Sequence, residues 1–329
     1  MKKVFATCAA LVLLLGAGHA AADPVRIDSL ATRGDTNGCD NSCLAGVLDQ
    51  FLAALARRDA TAAPLAAKAR YTENGIELPF GDGLWRTYSA HGDYRHVFAD
   101  HDAGQVAMFA TIKENGVDQL LMLRLKVDGR KVSEAEALIQ RRQVSRFINT
   151  DGLKRQPIWD EKLAPGDRST RAQLIAAVDP YFDGLITGNG DIVPFADDCW
   201  RWENGIVTAG IEGRHPAVGA TPTGGAQRKL QRCRDQFNAG GTVYVQTISP
   251  RRFLVVDEER GLVFGVFHFV HPGDITEARG QDGTTRPMPE SALRPFTVPV
   301  AELFKVRNGK IVAIEAIMTA LPYGSAPGW

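Results

Sequence analysis

The spacing of apolar residues changes along the chain from a helical period to strand-like alternation, and the same change then occurs a second time. Apolar positions recurring every three or four residues predict a first amphipathic helix, with Asn41 or Ser42 as its N-cap. Its stripe consists of Leu44, Val47, Leu48, Phe51, Leu52 and Leu55. The second stripe contains Pro180, which should kink or split the helix because proline donates no backbone hydrogen bond. Its apolar residues are Leu174, Ile175, Val178, Tyr181, Phe182 and Leu185.

These two halves also align with each other, which indicates an internal duplication. Residues 48–76 align without a gap onto 178–206, an offset of 130 positions, and both end in Glu-Asn-Gly-Ile. Near the ends of the copies, residues 125–132 match 304–311 at an offset of 179. A third match, at an offset of 157, pairs Arg95 with Arg252, Asp100 with Asp257, Gly104 with Gly261 and Val106 with Val263.

The growth of the offset shows that the second copy has gained residues in two places. Both insertions, about 209–237 and 273–295, are rich in glycine and proline, which is typical of loops. Loops of this length in a compact domain are usually functional or disordered. The second copy is therefore expected to hold the site, and the first copy to have a mainly structural role.

Strand patterns follow each helical stripe. Residues 252–270 predict a strand, a polar turn and a second strand, and 301–306 with 311–318 predict a hairpin around Asn308-Gly309. The segment 262–270 is apolar on both faces, whereas a sheet with one face in water would alternate with polar residues. We expect its own helices to cover one face, and the other copy or another subunit to cover the second.

The first 22 residues resemble a secretory signal, with Lys2-Lys3, an apolar run and a small-residue cleavage site. An exported protein, periplasmic or secreted, is expected, with a first domain at 23–145, a linker at 146–167 and a second domain at 168–329. The linker carries Ile158-Trp159, which should dock on the domains. Lys and Arg number 38, and so do Asp and Glu, so charge gives no reason to expect nucleic acid or an anionic membrane as partner.

Four cysteines remain after the signal, and an oxidising compartment favours disulfides. Three pairings are available, and we favour Cys39–Cys43 with Cys199–Cys233, because the second would fasten the first inserted loop to the segment that carries Glu203. A zinc site built from all four is the rival hypothesis, although their spacing is not typical of structural zinc modules.

Several sequence strings resemble an uncharacterised family of secreted fungal and bacterial proteins. They are 70–75 (RYTENG), 81–85 (GDGLW), 251–261 (RRFLVVDEERG), 302–310 (ELFKVRNGK) and 322–324 (PYG). The order of helix and strands also resembles the nuclear transport factor 2-like superfamily, which includes ketosteroid isomerase-like and polyketide cyclase-like (SnoaL-like) members. This resemblance implies an α+β fold of two tandem cones, in which helices pack on a curved antiparallel sheet. The catalytic Asp and Tyr of ketosteroid isomerases match no motif here, so no mechanism is carried over.

A carboxylate next to an amide occurs at equivalent points of both copies, as Glu73-Asn74 and Glu203-Asn204. In an apolar cone the carboxyl of Glu203 would have a raised pKa and could shuttle a proton, with Asn204 donating to a developing oxyanion. The alternative is turn chemistry, because Asn-Gly is a turn sequence and both copies retain it. Recurrence in both copies favours the structural interpretation.

Two histidines distinguish the second copy, where His268 and His271 replace Thr111 and Glu114. Alternation along the strand sends them to opposite faces, so they should not bind one metal together. Either could act as a general base near neutral pH, although such a residue is more often a hydrogen-bonded wall residue. His268 is preferred because it lies within the strand.

Further candidates for ligand contacts are aromatic and basic. Trp202 and Tyr244 could line a pocket for a flat apolar ligand, although core packing explains them equally well. Arg252 could hold a carboxylate or phosphate, whereas an arginine pair such as Arg251-Arg252 at the start of a strand is more often solvated or paired with an aspartate, and Asp257 lies close enough in sequence to be that partner.

The sequence contains no nucleophile elbow, phosphate loop, dinucleotide fingerprint or zincin motif, so neither a cofactor nor a metal is expected. We therefore predict an exported protein that binds a small apolar organic molecule in its second domain. If it is an enzyme, it should be an isomerase, dehydratase or other lyase with Glu203 or His268 as acid or base. The alternatives are a non-catalytic binding protein and a protein-interaction module. The two domains should pack on each other, and a homo-oligomer is left open.

Overall fold

The computed structural model describes residues 38–151, 153–211 and 230–329. The predicted signal, 1–22, and much of the first inserted loop lie outside these residues. Within the described residues, no helix combines the length and apolar character needed to cross a membrane.

Each copy consists of helices followed by a six-stranded sheet. In the first copy the elements are α1 (Asn41–Ala56), β1 (Leu65–Glu73), β2 (Ile76–Leu78), α2 (Leu84–Thr87), β3 (Tyr88–Asp100), β4 (Gln105–Glu114), β5 (Val117–Asp128) and β6 (Lys131–Gln140). In the second copy they are α3 (Arg171–Val178), α4 (Pro180–Thr187), β7 (Phe195–Glu203), β8 (Ile206–Ala209), α5 (Cys233–Asn238), β9 (Thr247–Asp257), β10 (Leu262–His271), β11 (Glu277–Arg279), β12 (Thr285–Pro287), β13 (Phe296–Arg307) and β14 (Lys310–Met318). The predicted α+β class is confirmed.

The helix predictions are confirmed except at one cap. Helix α3 ends just before Pro180, which begins α4, so proline splits the second stripe as expected. Helix α1 is capped one residue earlier than predicted, because the side chain of Asp40 accepts a hydrogen bond from the backbone N–H of Cys43 at 2.8 Å.

Both sheets are mixed rather than purely antiparallel, which corrects the prediction. Their orders are β2-β1-β6-β5-β4-β3 and β8-β7-β14-β13-β10-β9, with β1 parallel to β6 and β7 parallel to β14. These paired strands lie far apart in sequence, so no tight hairpin restricts them to an antiparallel arrangement. The register repeats as well: Glu73 lies opposite Ala137 in the first copy, and Glu203 opposite Ala316 in the second.

Apolar side chains form one large cluster inside each cone and a third between the two sheets. Strand β10 contributes to two of them, because Phe267 and Phe269 point into the second cone while Phe264 and Val266 face the first copy. The linker residue Trp159 is buried between the sheets, next to His96 and Trp200.

Each copy also supplies polar partners to a buried carboxylate of the other. Glu136 of the first copy accepts hydrogen bonds from Nη1 and Nη2 of Arg252, at 2.9 and 2.8 Å. Glu315 of the second copy accepts one from the hydroxyl of Tyr94 and lies 3.3 Å from Nδ1 of His96. The two carboxylates occupy equivalent positions, so the contact between the copies is nearly symmetric.

The second inserted loop, 273–295, packs on the second cone. Its strands β11 and β12 form a hairpin, and Met288 packs with Tyr244 in a small apolar cluster. At the tip of the hairpin, Gln281 donates from its backbone to Asn238 at 2.7 Å and from its side chain to Gly188 at 3.0 Å. The loop is therefore attached to both α4 and α5.

Both predicted disulfides, Cys39–Cys43 and Cys199–Cys233, are confirmed. The second pair spans 34 residues and ties α5 to β7, whereas the first spans only 4.

Because cross-linking a longer loop restricts the unfolded chain more, we expect Cys199→Ala/Cys233→Ala to lose about 2–4 kcal/mol of unfolding free energy. The control, Cys39→Ala/Cys43→Ala, should lose less. Urea unfolding of both double variants measures the difference, and an equal loss would contradict the prediction.

Candidate functional site

Three positions inside the second cone carry side chains of a different chemical kind from those in the first cone. Glu302 lies opposite Ala316 on the neighbouring strand, as Leu123 lies opposite Ala137 in the first copy. The sequence alignment also places Tyr181 where the first copy has Phe51, and Arg201 where it has Tyr71. The second copy has therefore replaced two apolar side chains and a tyrosine with groups that can exchange or stabilise a proton.

Glu302 is buried in this interior, at 1% exposed. Its Oε1 accepts a hydrogen bond from the Tyr181 hydroxyl at 3.0 Å, while its Oε2 is buried and has no hydrogen-bond partner among the described residues. Burial raises the pKa of Glu302 to about 8. Arg201 and the hydrogen bond from Tyr181 oppose this rise, and Glu203 adds to it. A buried carboxyl with one free oxygen and a pKa near neutrality is typical of proton-transfer sites.

Arg201 connects Glu302 and Tyr181 to the rim of the cone. Its Nη1 donates to the Tyr181 hydroxyl oxygen at 2.9 Å, and its Nη2 donates to Oε1 of Gln236 at 2.8 Å. Gln236 comes from α5, the helix held by the Cys199–Cys233 disulfide. We call these five side chains the polar cluster: Tyr181, Arg201, Glu203, Gln236 and Glu302.

Glu203 belongs to the polar cluster but is loosely held. Its Oε2 lies 3.5 Å from Nη2 of Arg201, which is long for a charged hydrogen bond. Its counterpart Glu73 is tightly held, by the backbone N–H of Leu84 at 2.7 Å and by Arg141 at 2.7 Å. The carboxylate in the second copy is therefore freer to contact a ligand.

Asn204 has a structural role that both copies share. It adopts a left-handed backbone with φ of 49°, and its side chain bonds both the N–H and the C=O of Met318, at 2.9 and 3.0 Å. Asn74 does the same with Ile139, at 2.7 and 3.3 Å. The side-chain amide of each asparagine is therefore occupied by backbone hydrogen bonds at the turn. This agrees with the structural interpretation of the Glu-Asn pairs.

Three other candidates lie on the opposite side of the sheet from the polar cluster, in the region between the copies. Alternation along β7 sends Arg201 and Glu203 into the cone and Trp202 into the apolar cluster between the sheets. The structure thus separates Trp202 from Glu203, although the two are neighbours in sequence.

The other two, Arg252 and His268, line a small cleft between the copies, with Pro327. Nε2 of His268 lies 2.7 Å from the backbone oxygen of Ser325, and burial lowers the pKa of this imidazole. Arg252 lies in the middle of β9 rather than at its start, and it pairs with Glu136 of the first copy rather than with Asp257, which pairs with Arg260. Glu203 and His268 therefore do not share a site.

Tyr244 and His271 do lie on the cone side. The ring of His271 stacks between Tyr244 and Phe296, with centroids 5.0 and 4.1 Å away. Its Nδ1 is buried without a hydrogen-bond partner, and burial lowers its pKa to about 4. Burial also raises the pKa of Tyr244, and the negative charge of Glu203 adds to the rise. Glu203, Tyr244 and His271 thus belong to one region of the second cone.

Sequence analysis missed Tyr181, Arg201, Gln236 and Glu302 as site residues. A signal was present for Glu302, because extending the 125–132 match by two positions pairs this acid with Leu123. An acid that replaces leucine on an apolar strand requires either a partner or a function.

Residues 167–318 match the model of a family described as a domain of unknown function, DUF8021. No curated protein matches the chain. Matching solved structures include an NTF2-like protein of unknown function from Cytophaga hutchinsonii ATCC 33406, at 13% identity, 30% coverage of this chain, 92% of that chain and a TM-score of 0.25. A putative polyketide cyclase from Xanthomonas campestris pv. campestris matches at 15% identity, with 31% and 93% coverage and a TM-score of 0.26. A steroid delta-isomerase from Pseudomonas aeruginosa matches at 15% identity, with 31% and 83% coverage and a TM-score of 0.24.

Proposed function

We propose that the second cone binds a small, mostly apolar organic molecule carrying a carbonyl group, and that Glu302 transfers a proton to and from it without a cofactor. The observation that carries this proposal is the free, buried Oε2 of Glu302. The surrounding wall is apolar and aromatic, with Phe182, Phe267 and Phe304 in the same cluster. Such a wall suits a ligand of this kind.

The reaction class that fits is an isomerisation. As a carboxylate, Glu302 would take a proton from the carbon next to the carbonyl, and as an acid it would return one to another carbon of the conjugated system. The ligand then gains and loses no atoms. A pKa of about 8 makes both forms accessible near neutral pH. Tyr181 and Arg201 would act as positioning residues, and Glu302 takes the role that the sequence suggested for Glu203 or His268.

Deuterium exchange tests this proposal. Wild-type protein in D₂O with a panel of saturated and β,γ-unsaturated cyclic ketones should label the carbon next to the carbonyl faster than buffer alone, as measured by mass spectrometry. Glu302→Gln and Glu302→Leu should lower this rate by about 100-fold or more. The matched control is Glu315→Gln, which alters a buried carboxyl between the sheets and should keep the rate.

Two results would overturn proton transfer by Glu302: no labelling above buffer across the panel, or wild-type labelling by Glu302→Gln. Thermal shifts by the same ketones without any labelling would instead support a non-catalytic binding protein, the alternative function.

We also propose that this activity takes place outside the cytoplasm, in the periplasm or the extracellular medium. The two disulfides support this setting, because thiols in the cytosol are kept reduced.

A further inference from the structure

In the first copy, one arginine joins two carboxylates at the rim of the cone. Nη2 of Arg141 donates to Oε1 of Glu73 at 2.7 Å, and its Nε donates to Oε2 of Glu114 at 2.7 Å. Both acids are at least nine-tenths buried. A single guanidinium group therefore satisfies two acidic side chains from strands β1 and β4.

The register identifies the same three positions in the second copy. Glu203 corresponds to Glu73, as shown above. His271 corresponds to Glu114, because His271 lies opposite Phe296 and Glu114 lies opposite Val117, at an offset of 179 between the two partners. Arg141 follows Ile139 by two positions, and the counterpart of Ile139 is Met318, so the arginine is replaced by Ala320.

Among the residues that the structure describes, the second copy thus has two acceptor groups at its rim and no cation in the place of Arg141. His271 is 3% exposed, and its Nδ1 has no hydrogen-bond partner within residues 38–151, 153–211 and 230–329. Within the described part of the chain, the carboxylate of Glu203 has one ion pair, between its Oε2 and Nη2 of Arg201 at 3.5 Å. Arg201 lies on the inner side, where Tyr181, Thr208 and Gln236 also hold it. It therefore does not replace the bridge of the first copy.

We infer that the rim of the second cone binds a cationic nitrogen group of the ligand, a guanidinium or ammonium, in the place that the Arg141 guanidinium occupies in the first copy. The group would donate hydrogen bonds to Glu203 and to Nδ1 of His271. Because its pKa is lowered to about 4, His271 is neutral near pH 7 and can accept such a bond. The stacked ring of Tyr244 adds an aromatic face close to the charge.

This inference rests on the proposed function, since it names a second group of the same ligand. The ligand class becomes a carbonyl compound with a basic nitrogen, its apolar carbon frame lying along the aromatic wall between Glu302 and the rim.

Methylguanidine is the probe, with methylurea as its neutral isostere and sodium chloride matching ionic strength. At about ten times its dissociation constant, methylguanidine should raise the Tm of the wild-type protein by about 2–3 °C, and methylurea should not. Two variants should abolish this shift: Glu203→Gln, which removes the acceptor charge, and Ala320→Arg, which restores the bridge at an exposed position. Glu73→Gln, the matched change in the first copy, should leave it unchanged.

A positive control exists in the first copy, where Arg141→Ala opens the equivalent gap and should create a second stabilisation by methylguanidine. Equal shifts with methylurea, no shift in the wild-type protein, or a shift that survives both Glu203→Gln and Ala320→Arg would overturn the inference. Glu302→Gln should keep the methylguanidine shift, so failure at the rim and failure of proton transfer are separate results.

Discussion

Replacing Glu302 with glutamine is expected to remove a pH-dependent loss of stability from the protein. In the folded chain burial raises the pKa of this carboxyl from its usual 4.5 to about 8. Between these two values the folded state holds a proton that the unfolded state has lost. The stabilisation is therefore complete below about pH 4.5 and disappears as pH rises through about 8. Within that window the unfolding free energy should fall by up to about 1.4 kcal/mol per pH unit.

Urea unfolding of the wild-type protein and of Glu302→Gln at several pH values from 4.5 to 8.5 measures this effect. Other titrating groups contribute equally to both proteins, so the difference between the two curves isolates Glu302. Glu302→Leu places the leucine of the first copy at this position. It should remove the same pH dependence of the unfolding free energy as Glu302→Gln. Parallel curves for wild type and Glu302→Gln would show that the carboxyl ionises normally in the folded chain.

The second large effect is expected at the contact between the copies, where Arg252→Ala should lose about 3–5 kcal/mol. Glu136 is 5% exposed and receives both terminal nitrogens of Arg252. Burial alone would raise the pKa of Glu136, but Arg252 and Arg124 hold this pKa below its usual value. Without Arg252, the buried carboxylate of Glu136 has only Arg124 left to offset its charge. The two sheets also lose a direct ion pair.

The control is Arg95→Ala, which the ungapped sequence match pairs with Arg252, although a bulge in β9 makes Arg251 its counterpart in the sheet register and His96 the counterpart of Arg252. Arg95 pairs with Asp49 at the surface, where both side chains are about half exposed, so its loss should cost less than about 1 kcal/mol. Differential scanning calorimetry of both variants decides the matter. Equal losses would mean that burial of the Arg252–Glu136 pair adds nothing to the connection between the copies.

Much of the fold could be predicted from the sequence because the duplication supplies each pattern twice. The split at Pro180 and both disulfides followed from local rules and from the expectation of an oxidising compartment. The parallel pairing of β1 with β6 did not, because nothing in a strand's own pattern specifies a partner more than fifty residues away.

The site was harder to predict for a related reason. Comparing the sequences of the two copies drew attention to the string that they share, Glu-Asn-Gly, but the Asn-Gly part of this string forms a turn. The polar cluster lies where the copies differ, at Tyr181, Arg201 and Glu302, and its members come together only when helix and sheet fold. Trp202 shows a different error. It is adjacent to Glu203 in the sequence, but residues adjacent in a strand face opposite sides of the sheet.

The exchange of partners across the two sheets has a consequence for how such a chain can change through evolution. Glu136 depends on Arg252, and Glu315 depends on Tyr94 and His96, so each half completes the interior of the other. A gene fragment encoding one half alone would yield a sheet face with a bare apolar surface and a carboxylate that has lost these partners. We therefore expect the two halves to be inherited together, because each one covers part of the apolar surface of the other.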